Sequence, residues 1–169
     1  MSAPGVAFRP LVLPTVVVSG LRRWALDRAA RVEPVVIGTD DAPYMSRWTV
    51  ASLGPFRLRV HRFHRSDDDR AKHDHPWWSV SVALEGEAVD RRQDDRARAI
   101  RPGTVFVRSP AYAHWIEVPE GREALTLFLT GPRVREWGFL CPSGWRRWQD
   151  YAAPTDRGGA SGRVGVGCD

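Results

Sequence analysis

The chain has 169 residues, of which 43% are hydrophobic and 27% are charged. This is the composition of one globular domain, and it excludes collagen, a coiled-coil rod and a chain that is mainly disordered. The net charge of +5 arises from 25 basic and 20 acidic residues. Because acidic residues interrupt the arginines, as in the segment 90–96, no nucleic-acid partner is expected.

Two short features exclude further classes of protein. The longest apolar run, residues 11–19, is interrupted by Pro14 and is much shorter than the roughly 18 residues of a membrane span, so no membrane partner is expected. Cys141 and Cys168 are the only cysteines. Neither a disulfide framework nor a cysteine-based zinc site is therefore expected, and the predicted location is the reducing cytoplasm.

The first predicted elements along the chain are an arm and a helix. Residues 1–18 contain three prolines and no clear period, which indicates an extended N-terminal arm. Residues 19–31 follow a helical pattern, with Ser19 as the candidate cap and with Leu21, Trp24 and Ala25 on one face. A single short helix is therefore predicted near the N-terminus.

Strand patterns begin after Pro34. Short apolar or alternating runs bounded by Gly and Pro lie at residues 35–37, 48–53, 56–64, 77–84, 88–92, 105–107, 114–118 and 124–129. Eight or so short strands of this kind indicate an all-β sandwich or barrel, and a closed double-sheet roll would leave few exposed sheet edges. The main domain is predicted over residues 19–153. Residues 154–169, rich in Gly, are predicted to form a flexible tail.

Two histidines stand close together in the segment His73-Asp74-His75. In an extended strand, residues two apart point to the same side, so His73 and His75 would present two imidazoles to one point. Imidazole is a common ligand of zinc, iron, nickel and copper. His114, on another predicted strand, is the candidate third ligand. Asp74 faces the other way and is a candidate to orient one of the rings.

The spacing around these histidines resembles the first motif of the cupin superfamily. That motif has His-x-His, then Glu after three or four residues, then Gly after six more. Here His73 and His75 are followed by Ser79, where the motif has Glu, and by Gly86.

The second cupin motif also has a counterpart. It runs Gly, five residues, Pro-x-Gly-x-x-His, and here Gly103 and His114 keep the spacing, while Ser109 and Ala111 replace Pro and Gly. The segment His61-Arg62-Phe63-His64 further resembles a group of small cupins of phages and bacteria. The resemblance implies an all-β cupin double-stranded β-helix, or jelly roll, with a divalent metal on His73, His75 and His114.

Ser79 makes the implied ligand set unusual. Without the Glu, the face of three histidines resembles that of thiol dioxygenases, which implies Fe(II) as the first choice, with Zn, Ni or Mn as alternatives. Candidate fourth ligands are His64, Glu85 and Glu87. The aspartates 67–69 lack the spacing of a calcium loop and are predicted to form a solvated turn.

The register of the strand at 56–64 decides which side chains enter the roll. In one register, Arg62 and His64 face inward, where Arg62 would bind a carboxylate or phosphate and His64 would be a ligand or an acid/base. In the other register, His61 and Phe63 face inward, because a slip of one residue exchanges the two faces. We take Arg62 and His64, together with the hydroxyl of Tyr112, as the candidate catalytic residues.

These features predict a metal-dependent enzyme. The first hypothesis is a non-haem iron oxygenase or dioxygenase that acts on a small polar substrate. The alternatives are a non-oxidative isomerase, lyase or hydrolase, and a non-catalytic cupin that binds a small molecule. The resemblance also implies a homodimer.

Overall fold

The computed structural model describes residues 11–39, 42–67, 71–152 and 165–169. They form two antiparallel sheets and two helices. The larger sheet contains, in spatial order, β1 (Leu11–Val12), β9 (Thr104–Arg108), β6 (Ser79–Glu85), β11 (Ala124–Thr130), β4 (Phe56–Phe63), β3 (Ala42–Leu53) and β2 (Val35–Thr39). The smaller sheet contains β13 (Gly144–Arg147), β12 (Gly138–Cys141), β5 (Lys72–His73), β10 (His114–Glu117), β7 (Ala88–Arg92) and β8 (Ala97–Ile100).

The predicted all-β architecture is confirmed. All eight predicted strands overlap strands of the structure, and β7 has the predicted bounds. The described strands β1, β5, β8, β12 and β13 were not predicted. Of these, β5 has only two residues, and β8 alternates arginine with small residues without an apolar face.

The N-terminal helix α1 (Thr15–Ala29) begins four residues earlier than expected. The carbonyl of Pro14 accepts hydrogen bonds from the backbone N–H groups of Val17 and Val18, at 3.0 and 3.1 Å, so the helix starts directly after the proline rather than at Ser19. Within the predicted arm, β1 pairs with β9, and residues 1–10 lie outside the described ranges. No helix of the described ranges is long and apolar enough to cross a membrane.

The two faces of the larger sheet have different partners. On the outer face, Val60 of β4 and Leu84 of β6 pack in one apolar cluster with Ala25 and Ala29 of α1. On the inner face, the alternate residues of the same strands face the space between the sheets. A second apolar cluster joins the sheets there, formed by Ala83, Ala88, Ile100, Phe106, Ile116, Val118 and Ala124. The sheets therefore enclose an interior that is apolar in this part.

The C-terminal segment is tied to the smaller sheet. The strands β12 and β13 form a hairpin, and helix α2 (Trp148–Tyr151) follows, with the Tyr151 ring stacked on Phe139 at 3.7 Å between centroids. Cys141 forms a disulfide with Cys168. The expectation of no disulfide framework is corrected by this bond: Cys141 and Cys168 are 27 residues apart in the sequence, but their Cα atoms lie 5.3 Å apart. Of the predicted tail, residues 165–169 are described, and 154–164 lie outside the described ranges.

Candidate metal centre and cavity

Three histidines converge in the smaller sheet. His73 ends β5 and His114 begins β10, and the two strands pair so that these residues lie directly opposite each other. His75 follows His73 by two residues and turns its ring to the same side. One ligand nitrogen from each ring lies within 4.8 Å of the others. The cluster predicted from the spacing of these residues is therefore confirmed.

The separation of the nitrogens fits one metal ion. The Nε2 atoms of His75 and His114 are 3.0 Å apart. Two nitrogens that each lie about 2.1 Å from one ion are separated by about 3.0 Å at a right angle and by about 3.4 Å at the tetrahedral angle. Imidazole nitrogen is also a donor that Zn, Fe and Ni accept. The residues present thus fit a divalent ion, which His73, His75 and His114 would hold.

Two of the rings are neutral at ordinary pH. Burial lowers the pKa of His75 well below its usual range, and the neighbouring His73 and His114 lower it further. Burial also lowers the pKa of His114 to about 4, although Asp90 opposes this shift. Because the neutral imidazole coordinates metals, both rings are held in the form that binds.

A buried carboxylate orients His114. Asp90 of β7 is fully buried, and its Oδ1 accepts a hydrogen bond of 2.7 Å from Nδ1 of His114. With the proton on Nδ1, the lone pair of Nε2 faces the cluster, as in the carboxylate–histidine–metal arrangements of many metal sites. Asp90 therefore prepares His114 as a ligand.

Asp90 also neutralises a buried arginine. Its Oδ2 accepts hydrogen bonds from Nη2 of Arg108 at 3.1 Å and from the hydroxyl of Tyr112 at 2.9 Å. Nη1 of Arg108 donates to Oγ of Ser81 at 2.9 Å. Burial alone would raise the pKa of Asp90, but Arg108 and His114 lower it below its usual range. The pair is thus a carboxylate and a guanidinium that balance each other.

The histidine cluster forms part of the wall of a cavity of about 230 Å³ between the sheets. Polar wall residues are Arg47, Arg59, His61, Asp67, His73, His75, Ser81, Glu85, Arg108, His114 and Thr126. The rest of the wall is largely apolar and aromatic and includes Met45, Phe63, Phe106, Ile116, Trp137 and Phe139. A cavity of this kind fits a small molecule with both polar and apolar parts.

The strand β4 adopts the second of the two registers left open by the sequence. His61 and Phe63 line the cavity, whereas Arg62 and His64 do not. His64 instead contacts Oγ of Ser46 at 2.8 Å and Oε1 of Glu123 at 2.7 Å, and Arg62 pairs with the same Glu123 at 3.0 Å. The structure therefore does not bring Arg62 and His64 to the histidine cluster, because Val60 packs under α1 and turns the odd-numbered residues of β4 inward.

Two other sequence candidates have different partners from those expected. Tyr112 is buried and does not line the cavity, but its hydroxyl donates to Asp90, so it reaches His114 through that carboxylate. Asp74 orients none of the imidazoles. It accepts hydrogen bonds from Arg135, from Nε1 of Trp145 and from the backbone N–H of Gly138, and so fixes the C-terminal hairpin.

The aspartate at the start of the predicted solvated turn is not solvated. The side chain of Asp67 is 8% exposed, lines the cavity, and its Oδ2 lies 3.6 Å from Nδ1 of His73. Residues 68–70 lie outside the described ranges. Asp67 therefore lies beside the histidine cluster. The sequence did not indicate this position, because a run of three aspartates is typical of a solvated turn.

Within the described part of the chain, no carboxylate joins the three histidines as a ligand. Of the acidic candidates for a fourth ligand, Glu85 pairs with Arg22, and Glu87 lies 3.7 Å from Arg101. Ser79, at the position of the cupin Glu, is 1% exposed at the start of β6. The described donor set consists of three imidazoles.

Sequence reasoning missed Asp90 and Arg108. The signal that could have found Asp90 is the alternation of β7, in which Ala88 and Asp90 share the buried face while Val89 and Arg91 share the other. Ile116 lies directly opposite Asp90 across β7 and β10. The many charged residues that follow Asp90 in the sequence gave no indication that its own side chain is buried.

Comparison with known proteins supports the architecture. No protein-family model and no curated protein matches the chain. Solved structures do match. A sugar phosphate isomerase of the cupin superfamily from Silicibacter pomeroyi is 15% identical, with a TM-score of 0.53 over 71% of this chain and 90% of that chain. The polyketide cyclase RemF from Streptomyces resistomycificus is 16% identical, with a TM-score of 0.52 over 60% of this chain and 75% of that chain.

A third neighbour is the Fe(II) form of HppE, which is 14% identical, with a TM-score of 0.50 over 60% of this chain. The match spans only 57% of the HppE chain. At these identities the likenesses show the fold alone. The protein is thus an all-β double-stranded β-helix with a three-histidine cluster in its interior.

This architecture is the cupin fold, as the sequence motifs implied. The likeness to thiol dioxygenases is borne out by none of these comparisons and stays a prediction.

Proposed function

We propose that the protein is a metal-dependent cupin enzyme in which His73, His75 and His114 hold a divalent ion. The observation that carries this proposal is the convergence of three imidazole nitrogens within 4.8 Å at the wall of a cavity of about 230 Å³. Three protein ligands are typical of catalytic metal sites, because they leave coordination positions for substrate. The cavity gives a small substrate access to those positions.

The surrounding residues prepare this site. Asp90 keeps the Nδ1 proton of His114 in place and so fixes the tautomer that coordinates. The rings of Trp137 and Phe139 lie beside the ring of His73, at 6.2 and 5.8 Å between centroids, and form an apolar side of the cluster. When bound, a divalent ion supplies Lewis-acid chemistry or activation of O2 at the cavity wall.

Iron(II) is the metal that we place first. Three neutral ligands leave the ion its charge of +2 and leave up to three positions of a six-coordinate ion for substrate and O2. We therefore propose a non-haem iron oxygenase or dioxygenase that acts on a small polar molecule. A dioxygenase incorporates both atoms of O2 into its product, so it needs no separate reductant. The shared fold with Fe(II)-HppE supports iron as a metal that this scaffold accepts.

A second candidate is a non-oxidative isomerase, lyase or hydrolase. The same imidazoles suit Zn, Ni or Mn, and the structural likeness to a sugar phosphate isomerase of the cupin superfamily favours this candidate. A third candidate, a cupin that binds a small molecule without turnover, would use the same cavity. The three candidates differ in metal, in their need for O2 and in turnover.

The first experiment is elemental analysis of protein purified without a His-tag or chelator. The parent should contain close to one equivalent of metal, and His73→Ala and His114→Ala should lose it. His64→Ala is the matched control, because its ring lies outside the cavity, and it should keep the metal. A parent that binds no metal after anaerobic reconstitution with Fe(II), Zn, Ni or Mn would contradict the proposal.

The identity of the bound metal decides which activity is assayed in the second experiment. Iron together with substrate-dependent O2 consumption supports the oxygenase. Turnover under anaerobic conditions supports the non-oxidative enzyme. A ligand that raises the unfolding temperature without forming product supports the binding protein.

Two further properties are proposed from the resemblance to cupins. We expect a homodimer, which light scattering of the purified protein tests. The cytoplasmic location stays a prediction, and its premise is weakened by the disulfide between Cys141 and Cys168, since disulfides persist mainly in oxidising compartments.

A further inference from the structure

Three basic side chains share one wall of the cavity. Arg47 of β3 lies directly opposite His61 of β4, and Arg59 precedes His61 by two residues on the same strand. Residues opposite each other, or two apart on one strand, present their side chains to the same face of a sheet. All three line the cavity. They form a basic platform, defined here as Arg47, Arg59 and His61.

Among the residues that the structure describes, the platform has none of the acidic partners that other arginines have. Arg62, Arg91 and Arg108 each pair with a carboxylate. No carboxylate of the described ranges pairs with Arg47 or Arg59. Nη1 of Arg59 donates to Oγ1 of Thr130 at 3.3 Å, and its guanidinium lies 5.5 Å from the centroid of the Trp77 ring.

Several buried nitrogen atoms of the platform have no hydrogen-bond partner among the described residues. The Nε atoms of Arg47 and Arg59 and the Nε2 atom of His61 are buried, and none has a hydrogen-bond partner in the described ranges. His61 itself is only 6% exposed. Burial lowers the pKa of Arg59 to about 10, and the nearby charges of Arg47 and Arg57 add to this effect. Burial lowers the pKa of Arg47 as well. Both guanidinium groups are charged at neutral pH, because arginine stays protonated in proteins.

Each of the two acidic residues of the described cavity wall has a partner outside the platform. Oδ2 of Asp67 lies 3.6 Å from His73, and Glu85 pairs with Arg22 of α1. Buried charges without partners destabilise a fold, so proteins pair them, except where a ligand supplies the opposite charge.

We propose that the platform of Arg47, Arg59 and His61 binds the charged group of a small organic anion, a carboxylate or a phosphate. Two guanidinium groups can donate several charge-assisted hydrogen bonds to such a group. The apolar wall, with Met45 and Phe63 on the same two strands, receives the rest of the molecule. This inference deepens the proposed function and rests on it in one respect, namely that the anion is the substrate of the metal site in the same cavity.

The test measures anion binding separately from metal binding. Protein dialysed against a chelator is titrated by calorimetry with hexanoate, with hexyl phosphate and with uncharged hexan-1-ol. At least one of the two anions should bind more tightly than hexan-1-ol, and its binding should weaken with added salt. Equal binding of hexan-1-ol and the anions, or no binding of either anion, would overturn the proposal.

Variants locate the site. Arg47→Gln and Arg59→Gln should each weaken binding of the better anion about ten- to hundredfold, as expected for the loss of hydrogen bonds to a charged group. Arg122→Gln removes the same charge from an exposed loop position and should bind like the parent. Parental affinity in both platform variants would overturn the assignment.

Two controls test whether weaker anion binding in the variants results from the lost charge rather than from misfolding. Without the anion, Arg47→Gln and Arg59→Gln should unfold at a temperature no lower than that of the parent, because each removes an uncompensated charge. Arg47→Lys and Arg59→Lys, which keep the charge, should recover part of the affinity. Anion binding that survives in His73→Ala shows that the platform is intact even if the proposed metal function fails.

Discussion

Replacing Asp90 by Asn tests whether one buried carboxylate both holds the fold together and prepares His114. Asp90 accepts hydrogen bonds from Arg108, Tyr112 and His114 at 3.1, 2.9 and 2.7 Å. Asn has nearly the same size, but it is uncharged, and its amide N–H groups cannot accept from these donors. Removing one partner of a buried ion pair costs about 3–5 kcal/mol, because the remaining charge is left uncompensated.

A loss of this size should be easy to measure. For a chain of this length, each kcal/mol lowers the unfolding temperature by about 2–4 °C, so Asp90→Asn should unfold about 6–20 °C below the parent. The metal affinity of the folded variant should fall about 10–100-fold, because His114 is no longer held in the coordinating tautomer. Thermal unfolding of the metal-free protein and metal titration against a competing chelator measure the two effects.

Matched variants separate the two roles. Tyr112→Phe removes one hydrogen bond to the same carboxylate and should cost about 1.5–3 kcal/mol of stability while leaving the metal affinity nearly unchanged. Asp94→Asn changes the same charge at an exposed position and should change neither property. Parental stability together with parental metal affinity in Asp90→Asn would refute the role assigned to this carboxylate.

Three further predictions follow from the same structure. His73→Ala should lose metal but keep its far-ultraviolet circular dichroism, since the ring lies at a cavity wall; global unfolding would instead assign it a structural role. Burial lowers the pKa of His61 well below 6.5, and the nearby arginines lower it further. Below pH 6.5 the unfolded chain therefore binds a proton at this ring that the folded chain does not bind. Stability should therefore fall as the pH drops below 6.5, by about 1.4 kcal/mol per pH unit for this group, and urea unfolding of His61→Gln at several pH values should show a slope smaller by that amount. Cys168→Ser opens the disulfide with Cys141 and should lower the free energy of unfolding by about 2–4 kcal/mol; equal urea midpoints for the variant and the oxidised parent would contradict this.

The ligand cluster could be predicted from sequence because short-range geometry fixes it. His73 and His75 are two residues apart, and any extended backbone turns them to one side. The separation of 39 residues between His75 and His114 predicts no contact by itself. His114 could be assigned as the third ligand because it matches the histidine of the second cupin motif. Eight of the strands were also predictable, because their apolar or alternating runs are bounded by turn residues.

The register of β4 could not be predicted, because both of its faces are covered. A strand with one solvated face shows a clean alternation of polar and apolar residues, whereas β4 packs against α1 on one side and lines the cavity on the other. Both faces therefore carry apolar and basic residues. The choice depends on Val60, which is fully buried under a helix that lies more than thirty residues earlier in the chain. Interactions over such distances leave no local pattern.

The distribution of charge inside the roll connects the metal site with the basic platform. Arg108 is matched by Asp90 and leaves almost no net charge for a ligand to balance. No carboxylate of the described ranges pairs with Arg47 or Arg59, and a divalent ion on the histidines would add two further positive charges to the same cavity. Each cation then makes the other less favourable until an anion is bound. Metal and anion should therefore strengthen each other's binding by the same factor, since coupling between two sites is reciprocal. We therefore expect the proposed metal to bind most tightly when the proposed anion is also bound, which metal titration with and without hexanoate or hexyl phosphate measures.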